Sequence, residues 1–274
     1  MANIEAYEEN LETRLNELRR GDRAYQLHQL VIQEAIVYAH DLHGYTHKQR
    51  ILDCGCGLGF TTARLTKMGV NVVGIDPSEK SISLARQEHK NVPFYQASAE
   101  SFSNMMPELR QEPFDLTILN MVLHSVDDQS VLGILAGVRN CLRPGGTVIS
   151  IVPTRDWLVQ KLIEYAQDQE MEREAGIAWG LGRLRQSEIS LPVKIRGGEY
   201  YAQPLVIYNR SLDDYGRMLR DTGFGVIMNC YHENTNEIFY RETLPYITLD
   251  DYTANFALMS RRRELLMSFA LLEE

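Results

Sequence analysis

The 274-residue sequence is short of the features that would tie it to a membrane, a disulfide framework or a phosphate backbone. Its four cysteines, Cys54, Cys56, Cys141 and Cys230, are too few for a stapled secreted scaffold, and none forms a C-x-x-C pair for zinc. No run approaches the roughly 18 apolar residues of a membrane helix. The opening residues Met1 to Glu9 lack a basic segment followed by an apolar one, so no secretory leader is expected. Positive charge is also scarce: 28 Lys+Arg face 37 Asp+Glu, giving a formal charge of −9. An acidic chain of this kind is poorly matched to nucleic acid. These shortages point to a cytoplasmic protein with reduced thiols and no membrane attachment.

What is present is ordinary for a globular protein. Apolar residues make up 44% and charged residues 24%, and the length suits one large α/β domain. Residues 1–48 read as a helical arm, with Ile4, Tyr7, Leu11, Leu15 and Leu18 on one stripe. A second helix is expected from Leu27 to Leu42, stopped at Gly44. From residue 49 short apolar runs alternate with helical patterns: Ile51–Asp53, Val70–Ile75, Val92–Tyr95, Phe114–Leu119 and Gly146–Val152. Strands alternating with helices mean right-handed βαβ units and a mostly parallel, doubly wound sheet. The rhythm breaks over about 154–206, read as an insertion: a helix through Trp157–Tyr165, a loop spaced by Gly176, Gly180 and Gly182, and a strand through Tyr200–Tyr208. Ser211–Asp214 opens a helix of capping-box type that stops at Gly223. Phe224–Tyr231 then reads as a strand, Asp250–Met259 as a helix and Leu265–Leu272 as a last strand.

The chemistry begins where the first strand turns into the first helix of the 49–274 domain. Gly55, Gly57 and Gly59 let the backbone turn tightly and come close to a ligand. A dinucleotide fingerprint requires glycine at 60, where Phe60 stands instead, which argues against a pyrophosphate at this turn. Asp53 just before the turn would repel a pyrophosphate and welcome an ammonium. Asp76, ending the second strand, is placed to accept hydrogen bonds from both hydroxyls of a ribose.

With these residues in order, Asp53–Gly59, Gly74–Ser78, Phe114–Leu119 and Leu142–Gly146 resemble the successive motifs of the class I S-adenosylmethionine-dependent methyltransferases. The resemblance is firm over about 49–153 and extends through Arg210–Phe224. It implies a Rossmann-like sheet of seven strands, the seventh antiparallel, with S-adenosyl-L-methionine as cofactor. Carried onto this sequence, it places the methionine end over Gly55, Cys56 and Gly57, with Asp53 near the ammonium. Asp76 holds the ribose, and Pro77 and Ser81 lie against the adenine. The segment Ser98, Ala99 and Glu100 faces the adenine edge, Ser98 standing where the family often has an acid. Asn120 and Met121 approach the amino group and the sulfonium, and Tyr25 on the arm closes over the cofactor.

The acceptor side is less defined. His124, just past the fourth strand, is the candidate general base, and equally a wall of the site. Trp157, Trp179, Tyr200 and Tyr201 fall in the insertion, where this family builds its acceptor lid, and suit a small apolar or aromatic molecule. His40, His43 and His47 have metal-like spacing but lack a completing carboxylate pair, so no metal is expected. Asp127 and Asp128 fit a helix cap better than a Mg²⁺ site. The leading expectation is methyl transfer to oxygen or nitrogen of a small molecule. One alternative is a tRNA-base methyltransferase using Arg183, Arg185, Lys194 and Arg196 as a groove; the other is a non-catalytic S-adenosylmethionine-binding protein.

Overall fold

The computed structural model describes residues 2–20, 32–33, 36, 49–101, 112–153, 155–194, 200–201, 203–233 and 263–272. The expected helix at Leu27–Leu42 lies almost wholly outside these residues, and the one at Asp250–Met259 entirely so. Five strands, β1 (Arg50–Cys54), β2 (Asn71–Asp76), β3 (Phe94–Gln96), β4 (Phe114–Asn120) and β5 (Leu142–Pro153), pair in parallel in the order β3-β2-β1-β4-β5. Six of the seven β4 residues are buried, Asp115 and Thr117 among them, so this central strand is covered on both faces although its sequence alternates. After β6 (Glu188–Leu191) and β7 (Leu205–Tyr208), which form a separate antiparallel pair, β8 (Phe224–Glu233) and β9 (Arg263–Leu272) extend the main sheet beyond β5. Here β9 runs antiparallel to both neighbours.

Helices α3 (Phe60–Lys67), α4 (Glu79–Glu88) and α5 (Asp128–Cys141) follow β1, β2 and β4. Side chains from β1, β2, β4, β5 and α5 make the main core, with Leu52, Ile75, Leu119, Leu135 and Val138 at its centre. In α5 the packing is close enough that a Cβ at Gly137 would fall 2.2 Å from the Ala99 carbonyl oxygen. Asp127 caps α5 by accepting from the Ser130 amide, the role its residue type suggested.

Three sequence expectations need correction. The N-terminal stripe is two helices, α1 (Ala2–Glu9) and α2 (Leu11–Arg19), rather than one. The break falls at Asn10, whose side-chain amide donates to the Ala6 carbonyl at 2.7 Å, an alternative to the helical ladder that asparagine readily takes. The glycine-spaced segment is not a loop: after α6 (Arg155–Asp168), it forms α7 (Arg173–Arg183). Glycine is used there for proximity, since a Cβ at Gly176 would stand 3.2 Å from that of Ala166, and one at Gly180 3.4 Å from Ile163. The strand expected at Tyr200–Tyr208 shortens to β7, paired with β6, which periodicity did not reveal. Leu158, Leu162, Ile189, Leu191 and Ile207 give the insertion a small core of its own. Beyond it, α8 (Leu212–Asp221) starts with the complete Ser211–Asp214 capping box.

Candidate functional site

The parallel register brings the ends of β1, β2 and β4 together, where α/β folds place their ligands. Asp53 pairs with Gly74 on one side and Ile118 on the other, so Asn120 lies two residues past the level of Asp53. The turn after β1 is held by Gly55 and Cys56, whose amides both donate to the Ile75 carbonyl, at 2.8 and 2.9 Å. Gly55, Gly57 and Gly59 all have positive φ, 78°, 52° and 75°. Their bare Cα atoms are also crowded: a Cβ at Gly55 would lie 2.4 Å from Val122, and one at Gly57 2.7 Å from the Tyr7 hydroxyl. Glycine is needed here on both counts.

Two carboxylates are buried at this turn. Asp53, 1% exposed, accepts from the Thr62 hydroxyl at 2.6 Å. Burial pushes its carboxyl up to about 6, with Asp76 adding to the rise and Thr62 opposing it. Asp76 accepts from the amides of Gly57 and Ser78, each at 2.9 Å, and burial outweighs these bonds to raise its carboxyl as well. Ionised oxygens keep further lone pairs, so two backbone partners leave Asp76 able to accept ribose hydroxyls. The Cys56 thiol is raised first by burial and then by the same two carboxylates. The locus is therefore short of positive charge.

The other expected cofactor residues group around it. Ser81 donates its amide to the Ser78 hydroxyl, the cap of α4, and its own hydroxyl oxygen is buried without a hydrogen-bond partner. The Pro77 carbonyl accepts from Gln96. Ser98 pairs with the Ser101 hydroxyl at 2.9 Å, while Ala99 and Glu100 pack against Gly137 and Gly133 of α5. Met121 holds φ 59°, and Asn120 Oδ1 is buried without a partner. His124 is 7% exposed, on the short turn Leu123–Ser125 after β4. Of the insertion aromatics, Trp157 and Trp179 pack on its small core, Trp179 and Tyr200 both stand against the Tyr165 ring, Tyr200 donates to Asp168, and Tyr201 donates to Glu17 of α2 at 3.1 Å. Tyr25 lies outside the described residues, as do His40, His43, His47 and Arg196. Of the groove residues, Arg183 stacks on Trp179 and Lys194 pairs with Asp168 at 2.6 Å.

Sequence reasoning missed Tyr7. It reads there as one apolar position of a stripe, yet its hydroxyl stands over Gly57, and burial followed by Asp76 raises that hydroxyl well above its ordinary range. Glu8 beside it accepts from the Ser78 hydroxyl. Nothing in the period of the helix distinguishes Tyr7 from its neighbours.

Residues 51–146 match the family model described as a methyltransferase domain. This stretch is a class I methyltransferase domain. Among relatives, a ubiquinone biosynthesis O-methyltransferase of Bradyrhizobium is 33% identical over 39% of this chain and 41% of the relative. An mRNA cap guanine-N(7) methyltransferase of Schizosaccharomyces pombe is 27% identical over 48% of this chain and 39% of its own. The chain thus spans half or less of the length of the first curated relatives it matches. An S-adenosylmethionine-dependent methyltransferase of Clostridium acetobutylicum superposes with a TM-score of 0.60 at 15% identity, covering 96% of this chain and 98% of that one, and so shares the fold. The family's cofactor is S-adenosyl-L-methionine. The methyltransferase domain's residues fit it: two buried carboxylates suit a cation, a glycine turn leaves room for its backbone, and Asn120 Oδ1 lacks a donor.

Proposed function

We propose that this chain transfers a methyl group from S-adenosyl-L-methionine to oxygen or nitrogen of a small molecule. The observation that carries the cofactor half is the pair Asp53 and Asp76, buried at a turn of three left-handed glycines. When bound, the cofactor supplies a methyl group on a sulfonium, open to in-line displacement. The chain's share is alignment and exclusion of water, which account for much of the rate in such reactions. Asp76 orients the ribose, Asp53 and Asn120 the ammonium, with Gly55, Cys56 and Gly57 beneath the methionine end, Pro77, Ser81, Ser98, Ala99 and Glu100 around the adenine and Met121 toward the sulfonium side. The arm, residues 1–48, and the insertion, about 154–206, form one lid, supported by the Tyr201–Glu17 bond. His124 stands at the acceptor wall, where a buried imidazole positions a nucleophile or takes its proton.

A second reading, methylation of a nucleic-acid base, has the cap methyltransferase relative in its favour. Against it stand the charge of −9 and the engagement of Arg183 and Lys194 within the insertion. The test offers the protein labelled S-adenosylmethionine with either a small-molecule cell extract or total tRNA. Label in the extract is expected; label confined to tRNA would replace the small-molecule reading. No label in either, despite micromolar binding of S-adenosylhomocysteine in calorimetry, would favour a binding protein without catalysis.

A further inference from the structure

The wall that carries His124 is gripped from outside. Arg210, just before α8, has a side chain only 5% exposed. Its Nη1 donates to the Leu123 carbonyl at 2.7 Å, its Nη2 to the Val126 carbonyl at 2.6 Å, and its Nε to Asp128 Oδ1 at 2.8 Å. The rings of Tyr208 and Tyr215 stand 5.1 and 5.8 Å from the guanidinium carbon. Asp128 is 71% exposed, so that ion pair contributes little, and the two backbone carbonyls are the partners that matter.

Those carbonyls belong to a loop under strain. It begins at Met121 with φ 59°, a conformation that non-glycine residues rarely take, and runs through Val122, whose methyl abuts Gly55. The backbone of such a loop persists only when its surroundings over-determine it. A planar guanidinium with several fixed donors can hold two carbonyls three residues apart in sequence at one spacing; an ammonium, a single point of charge, cannot hold both in that geometry.

We propose that Arg210 is a positioning residue for the transfer: it clamps the loop after β4 so that Val122 meets the glycine turn and His124 stays buried at the acceptor wall. The clamp also sets that wall against Tyr208 at the end of β7. This rests on the functional reading only in naming the wall; the clamp itself is read on ligand-free protein.

The experiment compares wild type with Arg210→Gln and Arg210→Lys by amide hydrogen exchange over residues 121–126 and by the His124 ring resonances in NMR, assigned with His124→Gln. Both variants are expected to speed exchange of that loop at least tenfold and to shift the His124 signals, while protection in β1 and β4 is kept. Unchanged loop exchange and His124 signals in Arg210→Gln would overturn the clamp. Full rescue by Arg210→Lys would do the same, because it would make charge rather than the fork the cause. Should Arg210→Gln fail to fold, Arg210→Lys alone still decides between these outcomes. A separate titration of wild type with S-adenosylhomocysteine tests the cofactor reading, so the two can fail independently.

Discussion

The turn after β1 and the insertion after β5 encode their parts of the molecule in different ways. At the turn the demand is on the backbone: φ values of 78°, 52° and 75° within five residues, and neighbours so close that a Cβ would collide. Few residue types meet that demand, and they must stand at a strand end, so the requirement is written in the spacing itself. In the insertion, apart from the close contacts at Gly176 and Gly180, the demand is for apolar volume. Leu158, Leu162, Ile189, Leu191 and Ile207 fill a small core that many other side chains would fill as well. A turn built from backbone geometry announces itself; a core built from packing does not.

Four measurements test this contrast. The largest effect is expected at Asp76. Replacing it by Ala should weaken S-adenosylhomocysteine binding by about 1.5–3 kcal/mol, roughly ten- to 150-fold, through loss of charge-assisted bonds. An unchanged dissociation constant in calorimetry would remove Asp76 from the ribose.

Next is Gly176→Leu, between α7 and α6, where a Cβ already stands 3.2 Å from Ala166. Overpacking of about 1–3 kcal/mol, less the roughly 1 kcal/mol that helix propensity returns, leaves a net loss of up to about 2 kcal/mol in denaturant melts. Cofactor affinity should stay within about twofold if the two regions are as separate as their cores suggest. A parallel collapse of both would break the comparison.

The third is a pH dependence. Asp53 titrates at about 6, above its ordinary value because of burial, so the ligand-free fold loses stability as pH rises through 6. An ammonium beside it needs the ionised form, so the sign reverses for binding. Affinity for S-adenosylhomocysteine should fall as pH drops below 6, by about tenfold per unit, and Asp53→Asn should flatten the curve. A wild-type affinity flat between pH 5 and 8 would detach Asp53 from the ammonium.

The smallest effect is expected at the border of the two regions. With the acceptor in hand, His124→Ala should lower turnover only about two- to fivefold and keep the wild-type pH profile, as a positioning wall would. A drop of about 10²–10⁴-fold with loss of one pH limb would make His124 a general base instead.

How far the molecule can be read in advance follows the same division. The five parallel strands, the glycine turn beside which Asp53 and Asp76 lie, the Asp127 cap and the Ser211 box were legible because each answers a local rule of backbone or capping. Gly176 and Gly180 were misread because glycine signals both a flexible loop and a close helix contact, and only the partner helix tells which. Tyr7 and Arg210 were invisible for another reason. Their partners, Gly57 for the one and Leu123 and Val126 for the other, lie 50 or more residues away in the chain, and no periodicity records a contact at that distance.

The arm has a history as well as a place. Helices α1 and α2 are eight and nine residues long, too short to persist alone in water. What holds them is the packing of Leu11 and Leu15 on Leu58, with Ser78, Lys80 and Glu88 bonding to Glu8 and Arg19 across separations of 70, 72 and 69 residues. The arm is therefore among the later segments to settle. It waits as loose chain until β1, β2 and α4 have assembled beneath it, and only then does Tyr7 come to rest over the glycine turn.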